Sequence, residues 1–176
     1  IVAAWERIRH GKAPITAQKH FGFAANFLYM LNGEHPRPQE TAVIDAYLVL
    51  LSEHGMNAST FSARVTTSTL SDMYSAMTTA IGTLKGAAHG GANEEAMRMF
   101  FEVGNADNVE DWFNKYVKTG EKRVMGMGHR VYKALDPRAA VLRRTAEEMS
   151  RATNNMTWYD LAVKLEATAR AVEYFI

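Results

Sequence analysis

Cysteine is absent, which removes disulfides and thiolate chemistry and suits a reducing compartment. Net charge is scarce as well: 20 basic residues against 19 acidic ones leave +1. No bulk field therefore draws the chain to nucleic acid or to an anionic membrane, and any anion binding has to be local. No apolar run approaches the roughly 18 residues that a membrane span requires, and no basic, apolar and small-residue succession resembles a signal peptide. P-loop and dinucleotide fingerprints are missing. With no cysteine and no closely spaced pair of histidines, metal ligation is not expected. These absences leave a cytoplasmic protein with no metal and without nucleic-acid or membrane partners as the expectation.

What is present is an ordinary globular composition. The chain has 176 residues, 47% apolar and 22% charged, enough for one respectable core or parts of two. It opens on "IVAAWERIR" and closes on "LEATARAVEYFI" with the apolar pattern still running, so both ends read as interior to a longer protein.

Helical spacing dominates. Ile44, Tyr47, Leu48 and Leu51 repeat at three and four residues, which predicts a helix ending near Gly55. Met73, Met77, Ala80, Ile81 and Leu84 form a second stripe, with Ser71 as the expected N-cap and Gly86 as the stop. A third helix is expected from about Ala92 with Met97, Phe100 and Phe101. A fourth, capped by Asn108 with Asp111 three residues on, holds Trp112, Phe113 and Tyr116. Asp136 before Pro137 starts a fifth, and Leu161, Leu165, Ala169 and Val172 mark a sixth. No run of strict alternation long enough for a strand occurs. The expected class is all-α, with the methionines and aromatics of these stripes in the core.

Chemistry concentrates in the connections. Of six histidines, His54, His89 and His129 fall where helices end or begin. His54 suits a C-capping role at a helix end as well as a ligand-binding one. His89, in "KGAAHGGANEEA", is flanked by small residues that permit a close approach, either of another backbone in a tight turn or of a ligand. It precedes a helix whose positive end disfavours an imidazolium, so a neutral ring donating through one nitrogen is expected, which suits a developing oxyanion or enolate. In "EKRVMGMGHRVYKALDPRAA", Gly126 and Gly128 expose main-chain N–H groups. Lys122, Arg123, Arg130 and Lys133 supply charge, and Arg138 falls in the first turn of a helix. The combination asks for a carboxylate or a phosphate.

The blocks "EHGMNASTFSARV", "GAAHGGANEEAMRM" and "GMGHRVYKALDPRA" closely resemble the citrate synthase family, particularly its shorter bacterial and archaeal kind, over essentially the whole chain and in the family's order. The resemblance implies a citrate-forming step of the tricarboxylic acid cycle, in which acetyl-CoA condenses with oxaloacetate and citryl-CoA is hydrolysed. CoA is then a cosubstrate and no group is permanently bound. On this resemblance His89 stabilises the enol or enolate of acetyl-CoA, and His129 polarises the oxaloacetate carbonyl. His54 binds oxaloacetate and Arg138 clamps a substrate carboxylate. Residues Lys122, Arg123, Val124, Met125, Gly126, Met127 and Gly128, with Lys133, receive the coenzyme, largely through main-chain groups. The rings of His89 and His129 and the Arg138 guanidinium are expected to share one cleft.

The family's aspartate base lies in a later "NVD"-type block that does not occur among these residues. The chain alone is therefore expected to be inactive. Residues 1–90 are expected to belong to a large helical domain and 91–176 to a small coenzyme-binding one. A homodimer is expected, with the helices from about Ser59 to Leu84 at its interface. Two rivals share the resemblance: 2-methylcitrate synthase, which takes propionyl-CoA, and a non-catalytic scaffold binding citrate or CoA. A citrate-cleaving lyase module would need further domains. RNA binding is disfavoured by the near-zero charge.

Overall fold

The computed structural model describes residues 1–52, 55–128 and 134–172, and among these it contains helices and no strand. The α-helices are α1 (Val2–Arg9), α2 (Phe23–Asn32), α3 (Pro38–Ser52), α4 (Ala58–Ser68), α5 (Met73–Leu84), α6 (Ala92–Val103), α7 (Val109–Trp112), α8 (Pro137–Ala152) and α9 (Thr157–Ala171). A 3-10 turn, Ala106–Asn108, precedes α7, and a π turn, Phe113–Val117, continues it. The all-α expectation holds. Three helices that apolar spacing did not mark, α1, α2 and α4, are added.

Two compact units result: Ile1–Glu53 with Arg138–Met149, and His54–Pro137 with Ser150–Ile176. In the first, α2 packs against α1 and α3. Arg7 ties the pair by donating to the carbonyls of Ala13 (2.7 Å) and Leu31 (3.3 Å). Gly33 closes α2 in the left-handed region (φ 86°), its amide donating to Tyr29 O, a conformation that costs any residue with a Cβ.

The second unit holds two substructures. Helices α4 and α5 form a hairpin with a seam of small residues. Ala76 is buried, and the Thr83 hydroxyl lies 2.9 Å from that of Ser62. Beyond it, Met99, Val103, Val109, Trp112, Phe113, Val117, Val124, Leu161, Leu165 and Ala169 make one continuous core from α6, α7, the π turn, the loop after it and α9. The expected α9 stripe is confirmed at Leu161, Leu165 and Ala169, whereas Val172, just past the helix, is exposed.

Cap chemistry differs from expectation at two places. Asp72, not Ser71, caps α5: its carboxylate accepts from the Ser75 amide at 2.9 Å, and a negative charge at that end is favoured by the helix dipole. Asn105, not Asn108, caps the segment leading into α7, accepting from the amides of Asp107 and Asn108. Asn108 instead donates to Val103 O at 2.8 Å, closing an orphan carbonyl of α6. The α5 stripe is not core either. Met73 is 78% exposed and Ile81 61%, because the hairpin packs through alanines, serines and threonines and leaves the large side chains on the outer face.

Candidate active site

The turn carrying His89 is built by backbone hydrogen bonds. The His89 amide donates to Gly86 O (2.9 Å), Gly90 to Leu84 O (2.9 Å) and Ala92 to His89 O (3.2 Å). The Gly90 bond satisfies a carbonyl that the end of α5 would otherwise leave without a partner. Both following glycines are required by space. A Cβ on Gly90 would sit 2.3 Å from Leu84 O, and one on Gly91 would sit 2.9 Å from Ala87 Cα. The close approach that the small residues permit is thus that of the chain's own backbone.

The ring of His89 is half-buried and rests on the first turn of α4. The Ser59 amide donates to His89 Nε2 at 3.3 Å, and the Ser59 hydroxyl lies 2.9 Å from the same nitrogen. An amide N–H can only donate, so Nε2 is assigned as an acceptor and the ring proton as residing on Nδ1. In this assignment Nδ1 carries the ring proton, and among the described residues Nδ1 has no partner. Asn57 arranges this support. Its side-chain oxygen caps α4 by accepting from the Thr60 amide (2.9 Å) and lies 2.8 Å from the Ser59 hydroxyl, whose one proton points to Nε2 in this tautomer. Ser59 and Asn57 were missed as site residues, although "NAST" before a helix is a legible N-cap signal. Asn57→Ala is expected to lower stability by about 1 kcal/mol, measured as a lower urea midpoint at unchanged slope.

The basic glycine loop is anchored from beneath. The Lys122 amide donates to Tyr116 O at 2.8 Å, Val124 is buried in the core, and Met125 and Met127 pack against it. Gly126 (φ 81°) and Gly128 (φ 76°) adopt the left-handed region, where other residues are strained. Arg123 is exposed. Among the described residues, no amide from Arg123 to Gly128 donates to another backbone group. A Cβ at Gly126 would touch Ala96 Cβ at 3.6 Å. The loop and the His89 turn therefore both abut the first two turns of α6.

Arg138 lies in the first turn of α8, half-buried, in the other unit. His54, His129, Arg130 and Lys133 lie outside the described residues.

The described residues thus form a helical scaffold in which a histidine turn and a basic glycine loop abut one helix, α6. Comparison with known proteins makes the class specific: the family model for the citrate synthase C-terminal domain matches residues 1–176. The chain belongs to the citrate synthase family. It is 46% identical over 166 residues to citrate synthase 2 of Bacillus subtilis (strain 168), covering 94% of this chain and 44% of that protein. It is 45% identical over 170 residues to 2-methylcitrate synthase of Mycobacterium tuberculosis (strain H37Rv), covering 95% and 42%. Among solved structures it matches the ternary complex of carboxymethyl coenzyme A and oxaloacetate with citrate synthase from Thermoplasma acidophilum, with a TM-score of 0.84 and 37% identity over 94% of this chain and 44% of that one. The chain thus spans under half the length of the relatives it matches.

Proposed function

We propose that this chain supplies the enolate-stabilising histidine and the coenzyme loop of an enzyme that condenses an acyl-CoA with oxaloacetate, acetyl-CoA giving citrate and CoA. The observation that carries the reading is His89, whose Nε2 is held as acceptor by the Ser59 amide. Its Nδ1–H is thereby left to donate to a thioester oxygen. Removing a proton from a thioester methyl is difficult, and a preorganised donor on the developing oxyanion stabilises that transition state where charge appears. The enolate carbon then attacks the oxaloacetate carbonyl, polarised by His129. The resulting alkoxide takes up a proton, and water cleaves the thioester to release CoA. Arg138 holds a substrate carboxylate and His54 assists in binding oxaloacetate. Lys133 and the stretch from Lys122 to Gly128 receive the coenzyme, in keeping with the amides of 123–128, which donate to no backbone group among the described residues. The carboxylate base comes from outside these 176 residues.

In this reading residues 1–90 belong to a large helical domain and 91–176 to a small one, in a cytoplasmic homodimer with no metal. The exposed apolar face of α4 and α5, with Phe61, Met73, Tyr74, Met77 and Ile81, supports the dimer assignment. The described helices include none long and apolar enough to cross a membrane.

The 45% identity to a 2-methylcitrate synthase favours a second reading in which propionyl-CoA is the preferred substrate. One methylene changes binding by about 1–3 kcal/mol, so relative rates discriminate. A full-length family protein carrying this chain is expected to release CoA from acetyl-CoA or propionyl-CoA only when oxaloacetate is present, while the 176-residue chain alone releases none. Failure of the longer protein with both thioesters refutes the proposal.

A further inference from the structure

Three elements of the second unit converge on one cation. The Lys122 ammonium donates to Glu102 Oε1 on α6 and lies 4.4 Å from the centroid of the Tyr116 ring in the π turn. The same Glu102 oxygen accepts from Trp112 Nε1, at the end of α7, at 3.1 Å. Lys122 begins the loop whose other amides, 123–128, donate to no backbone group among the described residues, and its own amide is bound to Tyr116 O. Both the main chain and the side chain of this residue thus hold to the core.

We infer that Glu102 is a positioning residue: by holding the Lys122 ammonium against Tyr116, it makes that side chain a strut for the coenzyme loop and not a ligand for the coenzyme's phosphates. The inference rests on the coenzyme reading above and refines it. To reach a phosphate, Lys122 would have to leave a carboxylate and an aromatic face together, whereas Arg123, the next residue, is exposed and has no described partner. Among the described residues of the loop, Arg123 is the cation left exposed, and a guanidinium suits phosphate oxygens. The Lys122 contact, and after it the Trp112 bond, hold the Glu102 carboxyl below its usual range. The Glu102 contact raises the ammonium of Lys122. Both groups therefore stay charged at neutral pH. A half-exposed ion pair on its own stabilises little. Here its effect is local, in fixing where the loop begins.

The two roles predict opposite signs. In a full-length family protein carrying this chain, Glu102→Gln removes the charge at constant shape. A strut then loosens, and the KM for the acyl-CoA rises about fivefold while kcat and the KM for oxaloacetate stay within about twofold. A phosphate-binding lysine released from its carboxylate would instead lower the KM for the acyl-CoA. Lys122→Met is expected to match Glu102→Gln, and the double variant to add little, since the two residues act as one unit. Hydrogen exchange supplies a readout independent of turnover: amides 122–128 exchange faster in Glu102→Gln than in the wild type. An unchanged or lower acyl-CoA KM in Glu102→Gln overturns the strut. If the wild type turns over no thioester, the functional reading fails, and unchanged exchange at 122–128 then overturns the strut separately.

Discussion

In a full-length family protein carrying this chain, His89→Ala is expected to lower kcat about 10²- to 10³-fold, the effect typical of deleting one preorganised oxyanion donor. The KM for oxaloacetate should change little, because in the proposed mechanism the lost hydrogen bond goes to the thioester oxygen and forms fully only as charge develops. The turn itself survives the substitution. Its hydrogen bonds run through the main chain, from His89 to Gly86 and from Gly90 to Leu84, and the Ser59 amide loses only an acceptor. His129→Ala is expected to have an effect of similar size, whereas Arg138→Ala should act mainly on the oxaloacetate requirement. A His89→Ala enzyme within about tenfold of wild-type turnover would remove His89 from the mechanism. Steady-state kinetics with both substrates varied, on protein cleared of host enzyme, are sufficient to decide.

Gly90→Ala is expected to cost as much activity as losing His89 and to destabilise the protein besides. The new methyl would lie 2.3 Å from Leu84 O, with Leu84 Cδ1 at 2.8 Å and Cγ at 2.9 Å. The leucine side chain can rotate away. The carbonyl cannot, because it accepts the Gly90 amide and ends α5. Relief requires the turn to open, which moves the ring off Ser59 and frees its tautomer. Overpacking of this kind costs about 1–3 kcal/mol, and more where backbone must shift. The combination to look for is a lower thermal midpoint together with a kcat reduced like that of His89→Ala, although His89 is still present. A Gly90→Ala protein with wild-type melting and turnover would show that the backbone contact does not constrain the turn.

Legibility in the sequence divided along physical lines. The apolar repeats of α5 and α9 could be read from their spacing, and α5 also has a glycine, Gly86, just past its end. The choice between Ser71 and Asp72 could not be read, since neighbouring residues of two capping types differ only in which has the helical geometry behind it. Helix α4 was obscured because its inner face is Ser59, Ser62, Ala63 and Thr66, polar and small, with no hydrophobic periodicity to register. The α5 stripe was visible as a face, but spacing reports which residues share a side and not what covers it. For His89, the position before α6 already argued for a neutral ring. The structure adds the reason that the proton sits on Nδ1, an amide thirty residues upstream, and no local pattern encodes that partner. The glycine loop was legible through its φ-demanding residues, while its anchoring by Glu102 depends on a contact twenty positions away.

The outward stripe of the α4–α5 hairpin bears on how such a chain comes to be made. Two helices adjacent in sequence find each other early, since few residues separate their contacts. Yet the side chains they turn outward, Met73, Tyr74, Met77 and Ile81 among them, are exposed, and in the proposed dimer they face water until the second copy arrives. Productive burial and sticking to strangers compete during that interval, and the serine- and threonine-lined seam gives the hairpin a defined shape before the competition is decided.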